Sequence, residues 1–415
     1  MGKLLTKNNK IDVKVDASAL GTITKFASAP AASTNADYVA ANAAQDMSPL
    51  LRHKWERKQR VMDILAGDYK LRRKFGRVLG CCRTIIKGDS VKIVRSAASG
   101  NAAYHNLLTC GNVWACPICA AKIQARRGEE ISRAVDWAYS HGYKVAMITR
   151  TQPHHAGQAL RDIIAGHCAA TRKYKAGRWY QDFKGALGVI GSIRASEVTY
   201  GVNGWHWHSH ELLLYKDEQA LRDYSLALKG RWIACCEAAG LQIADKGAMM
   251  AYGVDIMTGC RATDYLTKLG KSWGVDKEIS RASAKRGAGL TPFELAAAGE
   301  AELFAEYLLA TAGKAQLVWS RGLKALVGVD EVSDEEIAEA AEDTTETIAE
   351  VSRAGWDAVL DEHAEAELLT VATQGGYAAV RAWFALRGLA DEVCQGSIFD
   401  GMGGTVFDDA LPLAG

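Results

Sequence analysis

The chain has 415 residues, 48% of them hydrophobic, and a formal net charge of only +2 at pH 7. That length supports two or three domains, and no apolar run reaches the eighteen or so residues of a membrane-spanning helix. The small net charge hides an asymmetry: residues 331–415 hold 19 acidic and 3 basic side chains, so the first 330 carry 47 of the 50 basic and 29 of the 48 acidic residues, a balance of +18 against −16. A basic body suits a polyanionic ligand.

In chain order, residues 1–50 are rich in Ala, Ser, Thr and Asn and read as a flexible lead. Residues 51–130 read as a small basic module with cysteines, and its basic runs include Arg72, Arg73 and Lys74. From there the periodicity predicts a helix over 130–140, a strand over 143–151, a helix over 157–175 and strands over 189–200 and 205–215. A helix over 217–239, a strand over 248–257 and a helix over 261–271 follow. That alternation is β-α-β-β-α-β, the pattern of a ferredoxin-like or RNA-recognition-like antiparallel sheet with helices on one face, hence an α+β class. Residues 131–330 are expected to form this domain and its extension, and the acidic residues 331–415 a helical tail. Nothing at the N-terminus resembles a signal-peptide core, so a cytoplasmic protein with reduced thiols is expected.

Chemistry concentrates in Gly204-Trp205-His206-Trp207-His208-Ser209-His210-Glu211-Leu212. On a strand, alternate side chains share a face, so His206, His208 and His210 point the same way at steps of roughly 7 Å. Upstream, Glu197 precedes a Gly201-Val202-Asn203-Gly204 turn signal. With Val202-Asn203 at the tip, Glu197 falls opposite His208, and Ala195 opposite His210, on the same face. A slip of one residue would move Glu197 to the other face. Imidazoles beside one carboxylate form a donor set for a divalent cation.

A second donor set lies earlier. Cys110, Cys116 and Cys119 form a Cys-x5-Cys-x2-Cys run, with Cys81-Cys82 upstream. Cysteine pairs at such separations suit a tetrahedral structural zinc. Cys110, Cys116 and Cys119 are the expected ligands, with the fourth from Cys81 or Cys82 and His105 the less favoured choice.

These runs carry a resemblance. His-x-His entering an apolar stretch is similar to the metal motif of HUH endonucleases, and the string from Glu197 to His210 resembles rolling-circle plasmid replication initiators. Trp207 stands where that family usually has proline, and Ser209 where it has a bulky apolar residue; each histidine is in place. Lys144–Thr151 is similar to the family's first motif, and Tyr265-Leu266-Thr267-Lys268 to its Tyr-x-x-Lys motif. The Cys110–Cys119 run and the Trp319-Ser320-Arg321-Gly322-Leu323 string also match the family pattern, so the resemblance spans roughly residues 80–340.

The resemblance implies an HUH nicking domain that binds a plasmid origin, single-stranded at the nick. Mg²⁺ or Mn²⁺ would be held by His208, His210, Glu197 and His206. Tyr265 would be the nucleophile and Lys268 its neighbour at the phosphate. Basic residues such as Arg72, Arg73, Lys74, Lys285 and Arg286 would contact DNA, and host helicase and polymerase would be partners. Some members carry a glutamate four residues before the tyrosine; here Arg261 stands there, which leaves the base for termination unassigned. An HUH transposase or mobilisation relaxase is the rival within the superfamily. A non-catalytic, zinc-dependent DNA-binding regulator is the rival of another class.

Overall fold

The structure, a computed structural model, describes residues 47–97, 99–262, 289–340 and 344–396. Among them are two antiparallel sheets. The larger has five strands in the order β6-β3-β5-β4-β7: β3 (Lys144–Thr151), β4 (Gly191–Gly201), β5 (Gly204–Tyr215), β6 (Val254–Thr258) and β7 (Leu317–Trp319). Leaving out β7, the order of the four core strands is that of a ferredoxin-like sheet. The histidine strand β5 is central, bonded to β3 on one side and β4 on the other.

The hairpin that joins β4 to β5 turns at Val202-Asn203, with Gly204 at φ 78°. A positive φ is costly for a side chain with a Cβ and free for glycine. The register that follows pairs Glu197 with His208 and Ala195 with His210, as the turn signal implies.

Helices cover both faces of this sheet. On one side lie α5 (Leu160–Tyr174), α6 (Gly177–Leu187) and α7 (Glu218–Ala238), packed on Ala146, Ile148, Leu213 and Tyr215. On the other lies α4 (Pro117–Ser140). Its stripe of Ile131, Ala134, Val135 and Ala138 recurs at helical spacing and packs on Val145, Met147, Leu212 and Leu214. The expectation of helices on one face is therefore corrected: strands β3 and β5 are apolar at successive positions, so both faces need cover. Helix α4 also begins well before residue 130, with Pro117 in its first turn, where a missing N–H costs nothing.

The strand expected over 248–257 is half helix. Lys246–Tyr252 form α8, because Asp245 caps it by accepting from the N–H of Ala248 at 2.9 Å and Ala and Met favour helix. Strand β6 starts only at Val254. The helix expected over 261–271 falls, from residue 263 on, outside the described residues.

The second sheet has the order β2-β1-β8-β9. Strands β1 (Ser90–Ser96) and β2 (Ala102–His105) come from the basic module; β8 (Thr344–Ser352) and β9 (Val393–Gln395) come from the acidic end. The expected helical tail is thus corrected. The segment contributes two strands, with α13 (Arg353–Asp361) and α14 (Glu365–Ala385) packed on them through Trp356, Val371 and Trp383. The charge asymmetry explains part of this assembly. Lys92 meets Glu350 at 3.5 Å, Arg95 meets Glu346 at 3.4 Å and Arg353 meets Asp89 at 3.1 Å. These pairs are exposed or half-buried, and such solvent-reached pairs are worth only ~0.2–1 kcal/mol each, so burial of the two tryptophans dominates.

Candidate functional site

Strand alternation puts Glu197, His208 and His210 on the face that α4 covers, close to the hairpin end of the sheet. Glu197 Oε2 lies 2.7 Å from His208 Nε2 and 3.3 Å from His210 Nε2, and the two Nε2 atoms are 3.1 Å apart. Donors bound to one ion at bonds of about 2.1 Å and at right angles stand about 3 Å apart, so this spacing fits a shared cation. The other atoms agree. Glu197 Oε1 is buried without a partner, and one proton at most can lie between two facing imidazole nitrogens. His210 presents Nε2 because its Nδ1 lies 2.8 Å from Thr149 Oγ1 on β3. Fixing one ring nitrogen in this way orients the other toward a metal. Burial alone would raise the Glu197 carboxyl; the adjoining imidazoles overcome it and lower it to about 2.

His206 shares this face but is not one of the three converging donors. Its ring centroid is 4.9 Å from that of His208 and 4.9 Å from that of His154. Burial, then the two neighbouring imidazoles, lowers it to about 4, so it is neutral at pH 7. From the sequence His154 reads as a solvent or loop histidine apart from the metal donors. It lies just beyond β3, whose register ends with Thr151 opposite His208, a pairing no local pattern reveals. Thr149 was missed for the same reason.

Strand β5 is anchored from its other face. Trp205 Nε1 donates to Glu306 on α10 (Ala301–Thr311) at 2.8 Å. Trp207 packs against Trp114 with centroids 6.1 Å apart, and Trp114 receives the Tyr307 hydroxyl at its carbonyl, at 2.9 Å. Through Trp114 the cysteine-bearing segment rests directly on the histidine strand.

Cys81, Cys110, Cys116 and Cys119 converge in the core beside it. Cys81 Sγ is 3.5 Å from Cys119 and 3.6 Å from Cys116, and Cys110 is 3.6 Å from Cys119. Tetrahedral zinc with bonds of about 2.3 Å separates its sulfurs by about 3.8 Å, so the donor set fits that ion. Cys82, the alternative fourth ligand, stays outside this set. Its φ is 57° and its Sγ is 3.8 Å from that of Cys81 alone. A further residue not singled out from the sequence is Lys58. It is almost fully buried beside the thiols and donates to the Val78 carbonyl at 2.6 Å. Burial would lower its pKa, but negative charge on Cys116 and Cys81 raises it. At Cys116 burial works against ionisation, yet hydrogen bonds from the other three thiols and the charge of Lys58 favour the thiolate.

Arg72, Arg73 and Lys74 end the short helix α2 (Tyr69–Lys74) and are exposed. Tyr265, Lys268, Lys285 and Arg286 lie outside the described residues. The chain enters that region from β6, after the N–H of Cys260 donates to the Val145 carbonyl at 3.1 Å.

The chain is 28% identical over 344 residues to "Protein rep" of Streptomyces lividans, covering 64% of this chain and 75% of that protein. The chain is thus similar to a Rep protein. It is also 32% identical over 152 residues to the "Neomycin resistance protein" of Streptomyces cyanogenus, of which it spans about a third, 35%. No family model matches it, and no solved structure does. Among the described residues no helix of this Rep-like chain is long and apolar enough to cross a membrane.

Proposed function

We propose that this Rep-like protein initiates rolling-circle replication of a plasmid as an HUH endonuclease. The observation that carries the reading is the convergence of Glu197, His208 and His210 within 2.7–3.3 Å on one face of a ferredoxin-like sheet. The basic body binds the double-strand origin, with Arg72, Arg73, Lys74, Lys285 and Arg286 among its phosphate contacts. A bound Mg²⁺ or Mn²⁺ would polarise the scissile phosphate. The mixed set of two imidazoles and one carboxylate suits Mn²⁺ better than Mg²⁺, which favours oxygen donors.

Thr149 and the β4–β5 register hold the donors. Tyr265, carried by resemblance, attacks phosphorus through its phenolic oxygen. The bond from phosphorus to the 3′ oxygen breaks, that oxygen takes up a proton, and the strand's 5′ phosphate stays on the tyrosine. Lys268 screens the charge on the phosphate. The freed 3′-hydroxyl primes synthesis by the host polymerase, with a host helicase opening the duplex. Cys81, Cys110, Cys116 and Cys119 hold a structural Zn²⁺ that fixes Trp114 against the histidine strand.

The test is incubation with labelled single-stranded origin DNA and Mn²⁺. A covalent adduct is expected from the wild type and none from Tyr265→Phe, which keeps shape and loses the nucleophile. Origin binding with no adduct from any form would leave a DNA-binding regulator instead.

A further inference from the structure

Three lysine or arginine side chains are buried among the described residues, Lys58, Arg150 and Lys324. Two of them meet carboxylates: Arg150 is ion-paired with Glu211, and Lys324 stands 3.3 Å from Glu331 and 3.8 Å from Glu130. Lys58, only 2% exposed, meets none. A buried ammonium without a counter-charge is strongly unfavourable, so the fold must supply a negative group of another kind.

The sequence places this lysine where an apolar residue is expected. It stands on the buried stripe of Trp55, Lys58, Val61 and Leu65 along α1 (Pro49–Gly67), at helical spacing. Val61 and Leu65 pack in the core that holds Cys81, Cys110, Cys116 and Cys119. Lys58 Nζ donates to the Val78 carbonyl at 2.6 Å, and the N–H of Cys81 donates to that same carbonyl at 3.3 Å. Val78 belongs to the short helix α3 (Gly76–Gly80), whose end delivers Cys81. The neighbouring Cys82 is held elsewhere, its N–H donating to the Leu108 carbonyl at 2.7 Å. One carbonyl oxygen thus joins the buried ammonium to the backbone of the first cysteine in the set.

We propose that Lys58 is the counter-ion of the four-cysteine zinc centre and the residue that positions Cys81 in it. The inference rests on the zinc reading given above and adds a residue that the donor set itself does not require. Four thiolates outweigh the charge of one Zn²⁺, so the loaded centre is an anion buried in an apolar core. Lys58 offsets part of that charge and finds there the partner it lacks among carboxylates. It does not compete for the metal, because an ammonium has no lone pair to give.

Zinc affinity of the full chain, read by competition with a chelating dye, tests it. Lys58→Met and Lys58→Gln should each bind zinc about 10–100-fold more weakly. Lys58→Arg, which keeps the charge and can still donate to Val78, should stay close to the wild type. Packing alone predicts the opposite order, since methionine matches the lysine stem in an apolar core and arginine overfills it. Cobalt-loaded protein gives a readout that packing would not move. Removing a positive charge beside sulfur should shift the thiolate-to-cobalt charge-transfer band to longer wavelength in Lys58→Met and Lys58→Gln. Should Lys58→Met not fold, the order of Lys58→Gln and Lys58→Arg decides by itself. Zinc kept by Lys58→Met and lost by Lys58→Arg, or equal affinity and an unmoved band in every variant, would overturn the proposal. Zinc-free wild-type protein would instead defeat the zinc reading on which it rests.

Discussion

Thr149 Oγ1 on β3 stands 2.8 Å from Nδ1 of His210 on β5, the strand beside it, and so decides which imidazole nitrogen faces Glu197. The contact is outside the three converging donors and can be removed without touching them. Thr149→Val keeps the branched shape and loses the hydroxyl. Mn²⁺ affinity, read by calorimetry, should fall about 10–100-fold with the melting temperature little changed. An unaltered affinity would mean that strand pairing alone orients the ring.

The donors themselves should be less forgiving. His208→Ala and His210→Ala should each abolish nicking of single-stranded origin DNA at any Mn²⁺ concentration. Glu197→Gln should lower metal affinity, since the carboxylate supplies the only negative charge of the set. His206→Ala should retain measurable nicking, because its ring stands beside the set. Equal loss in the His206 variant would make it a fourth donor.

Acid should release the other metal. Zinc binds thiolates, so its affinity falls as pH falls and protons compete for sulfur. Purified protein should carry one zinc per chain by metal analysis. Cys116→Ser or Cys119→Ser should lose it and lower the melting temperature, whereas Cys82→Ser should keep it. Zinc-free wild-type protein would end the assignment.

A buried ion triad sets the acid limit of the sheet. Burial would raise the Glu211 carboxyl, but Arg150 and Lys175 hold it well below the usual carboxylate range. With the folded value depressed, the stabilisation is complete above the unfolded value of about 4.3. It is lost as pH falls from there toward the folded value. Glu211→Gln should cost about 3–5 kcal/mol at pH 7, the penalty of stranding a buried charge. The variant's denaturant midpoint should also vary less with pH between about 5 and 3 than that of the wild type.

The two halves of the charge asymmetry can be tested together. Deleting the residues after Asp330 removes β8, which covers Val91 and Ile93 of β1, along with Trp356 and Trp383. The truncated chain should therefore lose cooperative unfolding of the Cys-bearing module, seen as a broadened melt and dye binding. A sharp, unshifted melt would show that β1 and β2 stand without the acidic segment.

How much of this was legible in the sequence follows from the range of each interaction. The β4–β5 hairpin was, because Gly201-Val202-Asn203-Gly204 fixes the register within a few residues and period-two histidines mark the face. The choice of Cys81 over Cys82 was not, because it rests on the backbone at Cys82, held at φ 57°. The β1–β8 pairing was hidden too. Val91-Lys92-Ile93-Val94 reads as a short strand in a basic stretch and Ile348-Ala349-Glu350-Val351 as part of an acidic one; nothing local says that each is the other's partner. His154 beside His206 depends on how β3 leaves the sheet, again a matter of tertiary register.

That late pairing has a consequence for synthesis. Strand β1 is complete at Ser96, and its partner begins only at Thr344. At about 5–20 residues per second, the intervening chain takes on the order of 10–50 s to emerge from the ribosome. Through that interval one side of β1 is an open edge with apolar Val91 and Ile93 on it, a template for pairing with another nascent chain. The neighbouring Lys92 and Arg95 give that waiting edge like charge on every copy, so repulsion between growing chains guards it until the acidic strand arrives to neutralise it.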